Sequence, residues 1–366
     1  MSGEAQTIVI AGGGTGGHLY PALCVADELR RRRPSASILF VGARGGLEER
    51  LVPRAGYPLR TLALSGLKGR SAGAQGRAAA AAAWAVLRCA GWMLRRRPDL
   101  VLGVGGFASG PAVLAAWLLR VRTMVIEQND YPGATNRWLA PRVDAVCLPS
   151  EQARERVRGR AIVTGTPVRA EFFAIGEPPG GAVTSLLVFG GSRGARSINR
   201  AMVAALAALA RLEPAPRIVH QTGAADEGGV RAAYAAYPAD RYEVHGFFDD
   251  MPARLAGCDL VICRAGASTI AELCAAGRPA ILVPLPHAAD DHQRHNAERL
   301  LRAGAAEVLA DAALDGLAAT IARLVADRER LRAMGRAARA LARPAAELRI
   351  ADVAERLLEG APREAA

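Results

Sequence analysis

Short runs of β-branched and other apolar residues alternate along the chain with alanine- and leucine-rich stretches that repeat at helical spacing. In the first half the apolar runs are TIVIAGG, SILFVGA, LRTLALSG, LVLGVGG, TMVIEQN, DAVCLPS and AIVTGTP. Most of them are apolar at nearly every position, which is typical of strands in a parallel sheet buried on both faces. The helical patterns between them predict a doubly wound α/β sheet.

A second series of strands follows a break in this pattern at FFAIGEPPGGAVT. The runs SLLVFGG, RIVHQTG, YEVHGFF, LVICRAG, PAILVPL and AAEVLA again alternate with helices, and each series opens with a strand that enters a glycine turn. A chain of 366 residues is also long for a single core. We therefore predict an α/β protein of two tandem Rossmann-like domains, 1–165 and 185–342, with a linker at 166–184 and a C-terminal helix at 343–366.

The first glycine turn, AGGGTGGHLYPAL, matches the dinucleotide fingerprint G-x-G-x-x-G at Gly12, Gly14 and Gly17. A dinucleotide site also needs an acidic residue at the end of the second strand, where it holds the ribose hydroxyls. That strand ends in the letters GAR and has no acid, although Arg44 leaves open a contact with the 2′-phosphate of NADP.

His18 stands where this turn leads into a helix, and two interpretations of it are open. The imidazole is either a helix-start side chain satisfied by backbone groups or a general base. The positive end of the helix dipole disfavours the imidazolium ion, so a histidine here stays neutral and able to accept a proton near neutral pH.

Two motifs in the second half carry candidate nucleotide-binding residues. The turn FGGSRGARSIN offers glycine amides and the hydroxyl of Ser192 to a diphosphate, unless Ser192 only caps a helix. In CRAGASTIAELCAAGRP, small residues at a helix start precede Glu272, a carboxylate that suits both hydroxyls of a ribose. The alternative for this stretch is a capping box between Thr269 and Glu272.

A third motif, HAADDHQRHNAERL, is rich in imidazoles and carboxylates. One interpretation is a zinc or manganese site, because these are suitable ligands at helical spacing: His287, Asp290, Asp291, His292 and His295. In the other, the acids start a helix, and His292 and Gln293 reach a polar ligand from its first turn.

Composition and charge limit the compartment and the partners. The six cysteines lie scattered in apolar runs with no C-x-x-C pair, which is typical of free thiols in a reducing compartment. The N-terminus lacks a signal-peptide pattern, so we expect a cytoplasmic protein. The net charge of +12 favours nucleic acid, anionic lipid or phosphorylated partners, or reflects an arginine-rich composition. Zinc-finger and RNA-binding patterns are missing from the sequence, so we expect no nucleic acid partner.

A series of motifs, in order through most of the chain, resembles one family closely. They are GGTGGHLYPAL, GLKGR, GVGGFASGP, EQNDYPGATNRWLA, GTPVR, VFGGSRGARSIN, HQTG, GFFDDM, CRAGASTIAELCAAGRPAILVPLP and DDHQRHNA. The chain is similar to the MurG family, the bacterial UDP-N-acetylglucosamine (UDP-GlcNAc) transferases of peptidoglycan synthesis within glycosyltransferase family 28. The resemblance implies the GT-B glycosyltransferase fold, with a deep interdomain cleft and a C-terminal helix that returns to the first domain.

The resemblance also implies an activity. It is the inverting transfer of GlcNAc from UDP-GlcNAc to the C4 hydroxyl of MurNAc in undecaprenyl-diphospho-MurNAc-pentapeptide (lipid I), which forms lipid II. One direct displacement suffices, with a base that deprotonates the acceptor hydroxyl. We expect no cofactor and no metal, because cationic side chains and helix N-termini can stabilise the departing UDP. The alternatives are another GT-B enzyme, such as a lipid glucosyltransferase or a UDP-GlcNAc 2-epimerase, an NAD(P) oxidoreductase, and a non-catalytic nucleotide-sugar binding module.

Residue by residue, the resemblance makes His18 the catalytic base, places Glu272 on the ribose and Gln293 on the GlcNAc hydroxyls, and turns the backbone of Phe248 toward the uracil. The substrate-binding residues that it implies are Thr15, Gly16, Gly17, Asn129, Arg169, Ser192, Phe248, Ala267, Ser268, Thr269, Ile270, Ala271, Glu272 and Gln293. The chain departs from the family at Thr166, where Asn is frequent, and at His292, where Gln is frequent.

A polyprenyl acceptor implies that the enzyme works at a membrane surface. The apolar run at 78–94 is interrupted by Arg88 and is shorter than a bilayer span of about 20 residues, so we do not expect a transmembrane helix. We expect a peripheral contact with anionic lipid on the cytoplasmic face of the plasma membrane, through Trp84, Leu87, Trp92, Arg95, Arg96 and Arg97. The alternative is ordinary packing of a core helix.

Overall fold

The computed structural model describes residues 6–14, 16–64, 72–191, 194–286 and 288–360. The chain forms two compact units, one made of Met1–Val168 with Arg343–Ala366 and the other of Arg169–Ala342. The chain leaves the first unit after Val168 and re-enters it at Arg343, so the C-terminal helix belongs with the N-terminal half.

Strands and helices alternate along the chain. The described strands are β1 (Thr7–Ala11), β2 (Ser37–Ala43), β3 (Leu59–Leu62), β4 (Leu100–Gly103), β5 (Arg122–Ile126), β6 (Ala145–Leu148), β7 (Ala161–Val163), β8 (Ser185–Phe189), β9 (Arg217–Gln221), β10 (Tyr242–His245), β11 (Leu260–Cys263), β12 (Ala280–Leu282) and β13 (Ala306–Val308). Each of them lies in a run that the hydrophobic pattern predicts as a strand.

The helices connect these strands. Those described are α1 (Gly16–Arg32), α2 (Glu48–Arg54), α3 (Ala72–Arg95), α4 (Ser109–Leu118), α5 (Ala134–Leu139), α6 (Glu151–Arg154), α7 (Ala170–Phe173), α8 (Arg196–Leu209), α9 (Glu227–Tyr234), α10 (Met251–Ala256), α11 (Ala267–Ala276), α12 (His292–Arg302), α13 (Leu317–Ala326), α14 (Arg328–Ala340) and α15 (Ala346–Leu358). Short 3₁₀ turns occupy Ala239–Arg241, Ala289–Asp291 and Asp311–Gly316.

Each unit contains one parallel sheet. The strand order in the first unit is β3-β2-β1-β4-β5-β6-β7, and in the second it is β10-β9-β8-β11-β12-β13. The order reverses beside the first strand of each unit, between β1 and β4 and between β8 and β11. Ligands of such sheets bind outside the carboxyl ends of the strands at this switch point, so the loops after these four strands are the places to examine. The predicted fold class is confirmed.

The first sheet is buried on both faces, which explains its nearly continuous apolar strands. Successive side chains of a strand point to opposite faces. Accordingly, Ile10 of β1 packs in a cluster with Ile350 of α15, whereas its neighbour Val9 packs in a cluster with Ala112 of α4. All four side chains are fully buried.

Polar contacts fasten α15 to the first unit. Arg32 at the end of α1 pairs with Asp352 at 2.6 Å and with Glu355 at 2.9 Å. Arg349 donates from Nε to the carbonyl oxygen of Thr164 at 2.8 Å. These contacts, together with the apolar face of α15, explain why the chain terminus belongs to the first unit.

The segment expected to be a linker, 166–184, is packed onto the second unit from Arg169 onward. Phe172 in α7 is fully buried. The carboxylate of Asp259 accepts hydrogen bonds from the backbone amides of Gly180 at 3.0 Å and Ser185 at 2.7 Å. The proline- and glycine-rich run is therefore fixed by a buried carboxylate, a long-range contact that its composition does not reveal.

Candidate functional site

The first glycine turn joins β1 to α1, and its amides are occupied by the protein itself. Gly12, Gly13 and Gly14 have φ values of 152°, 134° and 86°, which favour glycine. Their backbone N–H groups donate to Val41 O at 2.9 Å, to Gly105 O at 3.3 Å and to a Glu48 carboxylate oxygen at 2.8 Å. An anion at this turn therefore has to use amides at the start of α1, where Gly16 and Gly17 lie. Thr15 lies outside the described residues.

Glu48 is a buried carboxylate at this turn that the sequence analysis missed. It stands at the start of α2, is 1% exposed, and also accepts a hydrogen bond from the amide of Ala43 at 2.7 Å. An acid therefore does reach the end of β2, but it comes from the following helix. Both of its oxygens bind backbone amides, which leaves it unsuited to a ribose. The glycines around it, in GARGGLEE, are the signal that could have revealed it.

His18 occupies the first turn of α1, half-buried, and its ring lies against the loop after β4. A Cβ atom placed on Gly105 would lie 2.6 Å from His18 Cδ2 and 2.8 Å from Nε2, so a side chain at this position would displace the imidazole. Gly105 has a φ of 86°, which independently favours glycine. The loops of two neighbouring strands thus fix the face of the imidazole at the carboxyl edge of the sheet.

The loop after β5 is organised by a second buried carboxylate. Glu127 is 3% exposed and accepts hydrogen bonds from the backbone amide and the side-chain amide of Asn129, at 2.9 and 3.0 Å. It also accepts from the amide of Gly133 at 2.9 Å and from Asn136 Nδ2 at 2.8 Å. Gln128 donates to Val104 O at 3.0 Å, which joins this loop to the one after β4. His18 and Asn129 therefore share one edge of the first sheet.

In the second unit, the glycine turn after β8 is held by the neighbouring strand β9. Gln221 Nε2 donates to Gly191 O at 3.0 Å. A Cβ on Gly194 would lie 1.9 Å from the carbonyl oxygen of Thr222, so the turn and the end of β9 are in direct backbone contact. Ser192 lies outside the described residues.

A buried series of side-chain hydrogen bonds stabilises this contact between the turn and the end of β9. Asn199 Nδ2 donates to Thr222 O at 3.0 Å, so its oxygen is free to accept from His220 Nε2 at 3.1 Å. The other ring nitrogen of His220 then accepts from the Tyr234 hydroxyl at 2.9 Å. Burial lowers the pKa of His220 to about 3, so the ring is neutral at physiological pH. The HQTG motif thus has a structural use that sequence analysis did not assign.

The start of α11 offers the clearest ligand-facing surface in the second unit. Gly266 is the N-cap of this helix, so the capping box between Thr269 and Glu272 is wrong. The positions that follow the N-cap are half-buried, apart from the buried Ile270: Ala267, Ser268, Thr269, Ala271 and Glu272. The first turn of a helix directs its backbone N–H groups toward the space before it, and here small side chains surround them, which suits the approach of an anion.

Glu272 has an unusual ionisation. Burial of its carboxyl raises the pKa to about 7, and the nearby Arg169 guanidinium acts in the opposite direction. Arg169 is the N-cap of α7, and its side chain is 35% exposed. A desolvated acid beside a partly exposed cation is a typical sign of a binding site.

Loops after the neighbouring strands complete this edge of the second sheet. Gln293 in the first turn of α12 accepts a hydrogen bond from the amide of Leu285, after β12, at 3.0 Å. Phe248, after β10, is 5% exposed, and its ring lies 4.8 Å from the Arg254 guanidinium. The side chains of Gln293 and Phe248 are thus both held by contacts within the second unit. Among the described residues no cluster of His, Cys, Asp or Glu is arranged to hold a metal ion, and His287 is not among them.

Arg264, at the end of β11, is a further residue that the analysis did not single out. Its guanidinium donates to the carbonyl oxygens of Val283 and Pro284, each at 3.2 Å, and to Ser197 Oγ at 2.7 Å. It also pairs with Asp311. This arginine joins the ends of β11 and β12 to α8 and so fixes the edge that carries Glu272.

The helix α3 has a buried face and an exposed apolar face. Cys89 and Met93 are buried, as the core-helix alternative expects. Trp84 and Leu87, however, are each 63% exposed and Leu94 is 71% exposed. Exposed arginines follow them at positions 95 and 96. No described helix is long and apolar enough to cross a membrane.

Two predicted membrane contacts have partners inside the first unit. Arg97 Nη2 donates to the carbonyl oxygens of Leu119 and Arg120, at 3.2 and 3.3 Å, at the end of α4. Trp92 is half-buried, with the Arg60 guanidinium 5.5 Å from its ring. These two residues therefore have contacts within the first unit, whereas Trp84 and Leu87 are each 63% exposed.

Solved structures share this architecture. A MurG from Acinetobacter baumannii matches with a TM-score of 0.77 and 30% identity, over 96% of this chain and 99% of that one. A putative UDP-N-acetylglucosamine 2-epimerase from Listeria monocytogenes matches with a TM-score of 0.68 and 15% identity over 98% of each chain, which shows the fold alone. Two parallel-sheet units of this kind define the class of GT-B folds.

The family is settled by sequence. The glycosyltransferase family 28 N-terminal domain matches residues 8–148, and the family 28 C-terminal domain matches 185–357. A relative from Geotalea uraniireducens (strain Rf4) is 44% identical over 92% of this chain and 94% of its own, and one from Myxococcus xanthus (strain DK1622) is 42% identical over 94% and 91%. Both are named UDP-N-acetylglucosamine--N-acetylmuramyl-(pentapeptide) pyrophosphoryl-undecaprenol N-acetylglucosamine transferase. The chain belongs to glycosyltransferase family 28, and the resemblance predicted from its motifs is confirmed.

Proposed function

We propose that the chain transfers GlcNAc from UDP-GlcNAc to the C4 hydroxyl of MurNAc in lipid I and so forms lipid II. The observation that carries this proposal is the identity of 44% and 42% to relatives named for that transfer, over more than nine-tenths of this chain. The residues gathered at the carboxyl edge of each sheet support it, because they offer the groups that such a reaction needs.

The donor is bound by the second unit. The carboxylate of Glu272 accepts the two ribose hydroxyls, and the backbone at Phe248 meets the uracil. The diphosphate is bound by three groups of this unit. They are the backbone amides at the start of α11, the turn that contains Ser192, and the guanidinium of Arg169. Gln293 holds GlcNAc hydroxyls, and Asn129 of the first unit contributes to binding the donor sugar. The half-buried small residues at 267–269 support this assignment, since they let a sugar phosphate approach the backbone.

His18 accepts the proton from the acceptor hydroxyl, and the amides of Gly16 and Gly17 face the acceptor's diphosphate. As the proton leaves, the C4 oxygen attacks C1 of GlcNAc, the bond from C1 to the phosphate oxygen breaks, and UDP departs with the electron pair. The α-linked donor thereby gives a β-linked product. The half-buried position of His18 in the first turn of α1, beside the loop after β4, supports this role, because it places the imidazole at the carboxyl edge of the first sheet.

The polyprenyl acceptor is met at the cytoplasmic face of the membrane by α3. Its exposed Trp84 and Leu87 enter the interfacial region, and Arg95 and Arg96 attract anionic headgroups. Exposure of 63% for both Trp84 and Leu87 supports this contact, since large apolar side chains on a helix surface otherwise cost free energy in water.

The test is the transfer of radiolabelled GlcNAc from UDP-GlcNAc to a lipid I analogue in the presence of EDTA, by wild type and by His18→Ala. We expect transfer by the wild type and a loss of about 10²–10⁴-fold in kcat for the variant, the usual contribution of a general base. No transfer by the wild type contradicts the function, and full activity of the variant contradicts the role of His18. Conversion of UDP-GlcNAc without acceptor would instead indicate an epimerase.

A further inference from the structure

We propose that Glu48 is a positioning residue for the base: its buried carboxylate holds the first glycine turn in the conformation that sets the imidazole of His18. This inference rests on the proposed function for its catalytic consequence. It starts from the observation that a carboxylate which is 1% exposed accepts the amide of Gly14 at 2.8 Å, inside the turn itself.

A chain of contacts leads from Glu48 to His18. Gly14 is held by Glu48, and its neighbour Gly13 donates to Gly105 O at 3.3 Å. The two loops touch so closely that a Cβ on Gly106 would lie 2.2 Å from Gly13 O. Gly105 in turn supports the ring of His18, where a Cβ would lie 2.6 Å from Cδ2. A shift of the turn that Glu48 holds therefore moves the surface on which the imidazole rests.

The chemistry of the contact requires a carboxylate of this length. Two amides converge on it, Ala43 N on Oε1 at 2.7 Å and Gly14 N on Oε2 at 2.8 Å, so both of its terminal atoms must be acceptors. Glutamine replaces one acceptor by an NH₂ group and sets donor against donor. Aspartate is one methylene too short to keep both bonds. Hydrogen bonds to an ionised acceptor are also the stronger kind.

The surroundings of Glu48 are built to admit it. A Cβ on Gly42 would lie 2.4 Å from Glu48 Cγ, and one on Gly46 would lie 2.2 Å from Oε2. These glycines therefore leave space for the carboxylate and leave none for a larger group. The same arrangement uses up the amide of Gly14, which in a dinucleotide-binding turn would be open to phosphate.

A double-mutant cycle separates positioning of His18 from a general structural role. Glu48→Gln should lower kcat about 10- to 100-fold in the wild-type background, since small misplacements of a catalytic group cost up to about 10²-fold. In the His18→Ala background the same substitution should change kcat less than about twofold, because the group it positions is gone. An equal loss in both backgrounds would show that Glu48 only supports the fold, and would overturn the inference.

Two further measurements on the full chain make the test complete. Hydrogen exchange of the peptide that covers the turn, followed by mass spectrometry, should speed up in Glu48→Gln, while the KM for UDP-GlcNAc should stay within about twofold, because the donor residues Glu272 and Gln293 lie in the second unit. Glu49→Gln, a change at the exposed neighbouring residue, is the matched control and should behave as wild type.

The outcomes keep the two hypotheses apart. If the wild type transfers no GlcNAc, the proposed function is wrong. The role of Glu48 in holding the turn is tested independently, because an unchanged rate of hydrogen exchange at the turn in Glu48→Gln would contradict it. If Glu48→Gln does not fold, Glu48→Asp keeps the charge and one amide contact, and we expect an intermediate kcat from it. Wild-type kcat in Glu48→Asp would also overturn the inference, since it would show that the two-point hold is dispensable.

Discussion

Lowering the pH through neutrality should weaken the binding of UDP-GlcNAc, because it protonates Glu272. In the ligand-free protein, burial raises the pKa of this carboxyl to about 7, against the opposing effect of Arg169. Ribose hydroxyls that donate to the carboxylate stabilise its ionised form, so the bound state holds the pKa lower than the free state does. A proton and the ligand therefore compete, and the affinity falls as the pH drops through the pKa of the free protein.

The magnitude follows from the titration of one group. With a pKa of about 7, Glu272 is roughly nine-tenths ionised at about pH 8 and roughly one-tenth ionised at about pH 6. The dissociation constant of UDP-GlcNAc should therefore rise about 10-fold between these pH values, which corresponds to about 1.4 kcal/mol.

The assay is isothermal titration calorimetry across this pH range with wild type, Glu272→Gln and the control Glu329→Gln. UDP-GlcNAc is preferred to UDP as ligand, since a terminal phosphate titrates near neutral pH and the diphosphate diester does not. Glu329 is exposed on α14, so its variant should keep the wild-type slope. Glu272→Gln should bind more weakly at high pH and with no slope.

Three results would refute this reasoning. They are a flat profile for the wild type, an equal slope in Glu272→Gln, and tighter binding at low pH. The last is the trend expected if protonation of a histidine dominated, because added positive charge favours an anionic ligand. The pKa of Glu272 is higher in the folded protein than in the unfolded chain, so ionisation of this carboxyl destabilises the fold at pH values above the unfolded pKa. Without ligand, Glu272→Gln should therefore have a higher melting temperature than wild type at about pH 8. The two melting temperatures should be equal near about pH 4.

Further predictions concern other parts of the molecule. Gly105→Ala should fold, by circular dichroism, but lose about 10²-fold in kcat, because its Cβ displaces His18; unchanged kcat would contradict that contact. The pKa of His220 is lowered to about 3 in the fold, so between pH 7 and pH 5 this histidine takes up a proton only in the unfolded chain. The free energy of unfolding of the wild type should therefore fall by about 2 kcal/mol over this range because of His220. Urea titrations of His220→Phe should lack that loss. Trp84→Ser with Leu87→Ser should reduce sedimentation with anionic vesicles, whereas Arg97→Gln, which loses a bond to α4, should mainly lower the melting temperature.

The strands and the glycine turns were predictable because their signals are local. Ile8, Val9 and Ile10 are fully buried, and a strand buried on both faces needs apolar residues at successive positions. A helix start among the small residues before Glu272 was predictable, although the capping box was wrong. Gly266 is the N-cap, so Thr269 and Glu272 are both inside the helix. The carboxylate of Glu272 therefore does not cap this helix, and its neighbour is the Arg169 guanidinium instead.

The carboxylates that organise the loops were not predictable, since each acts across the sequence. Glu48 reaches Gly14 over 34 residues, and Asp259 reaches Gly180 over 79. A glutamate at a helix start looks like a favourable first-turn charge, and only the fold shows that it turns inward. The composition around it was informative, however: a buried acid needs space and donors, and the glycines at 42, 45 and 46 flank Glu48 in the sequence.

The fingerprint G-x-G-x-x-G specifies the shape of a turn, and the ligand depends on which amides remain open and where an acid stands. In the first unit three successive glycine amides bind Val41, Gly105 and Glu48, and the acid near the end of β2 is buried. A dinucleotide would need those groups exposed, so the same contacts that orient His18 argue against the NAD(P) alternative. In the second unit a half-buried acid, Glu272, instead follows the first turn of a helix whose N-cap is Gly266. Under the proposed function, one strand–turn–helix pattern holds a catalytic base in one unit and a nucleotide in the other.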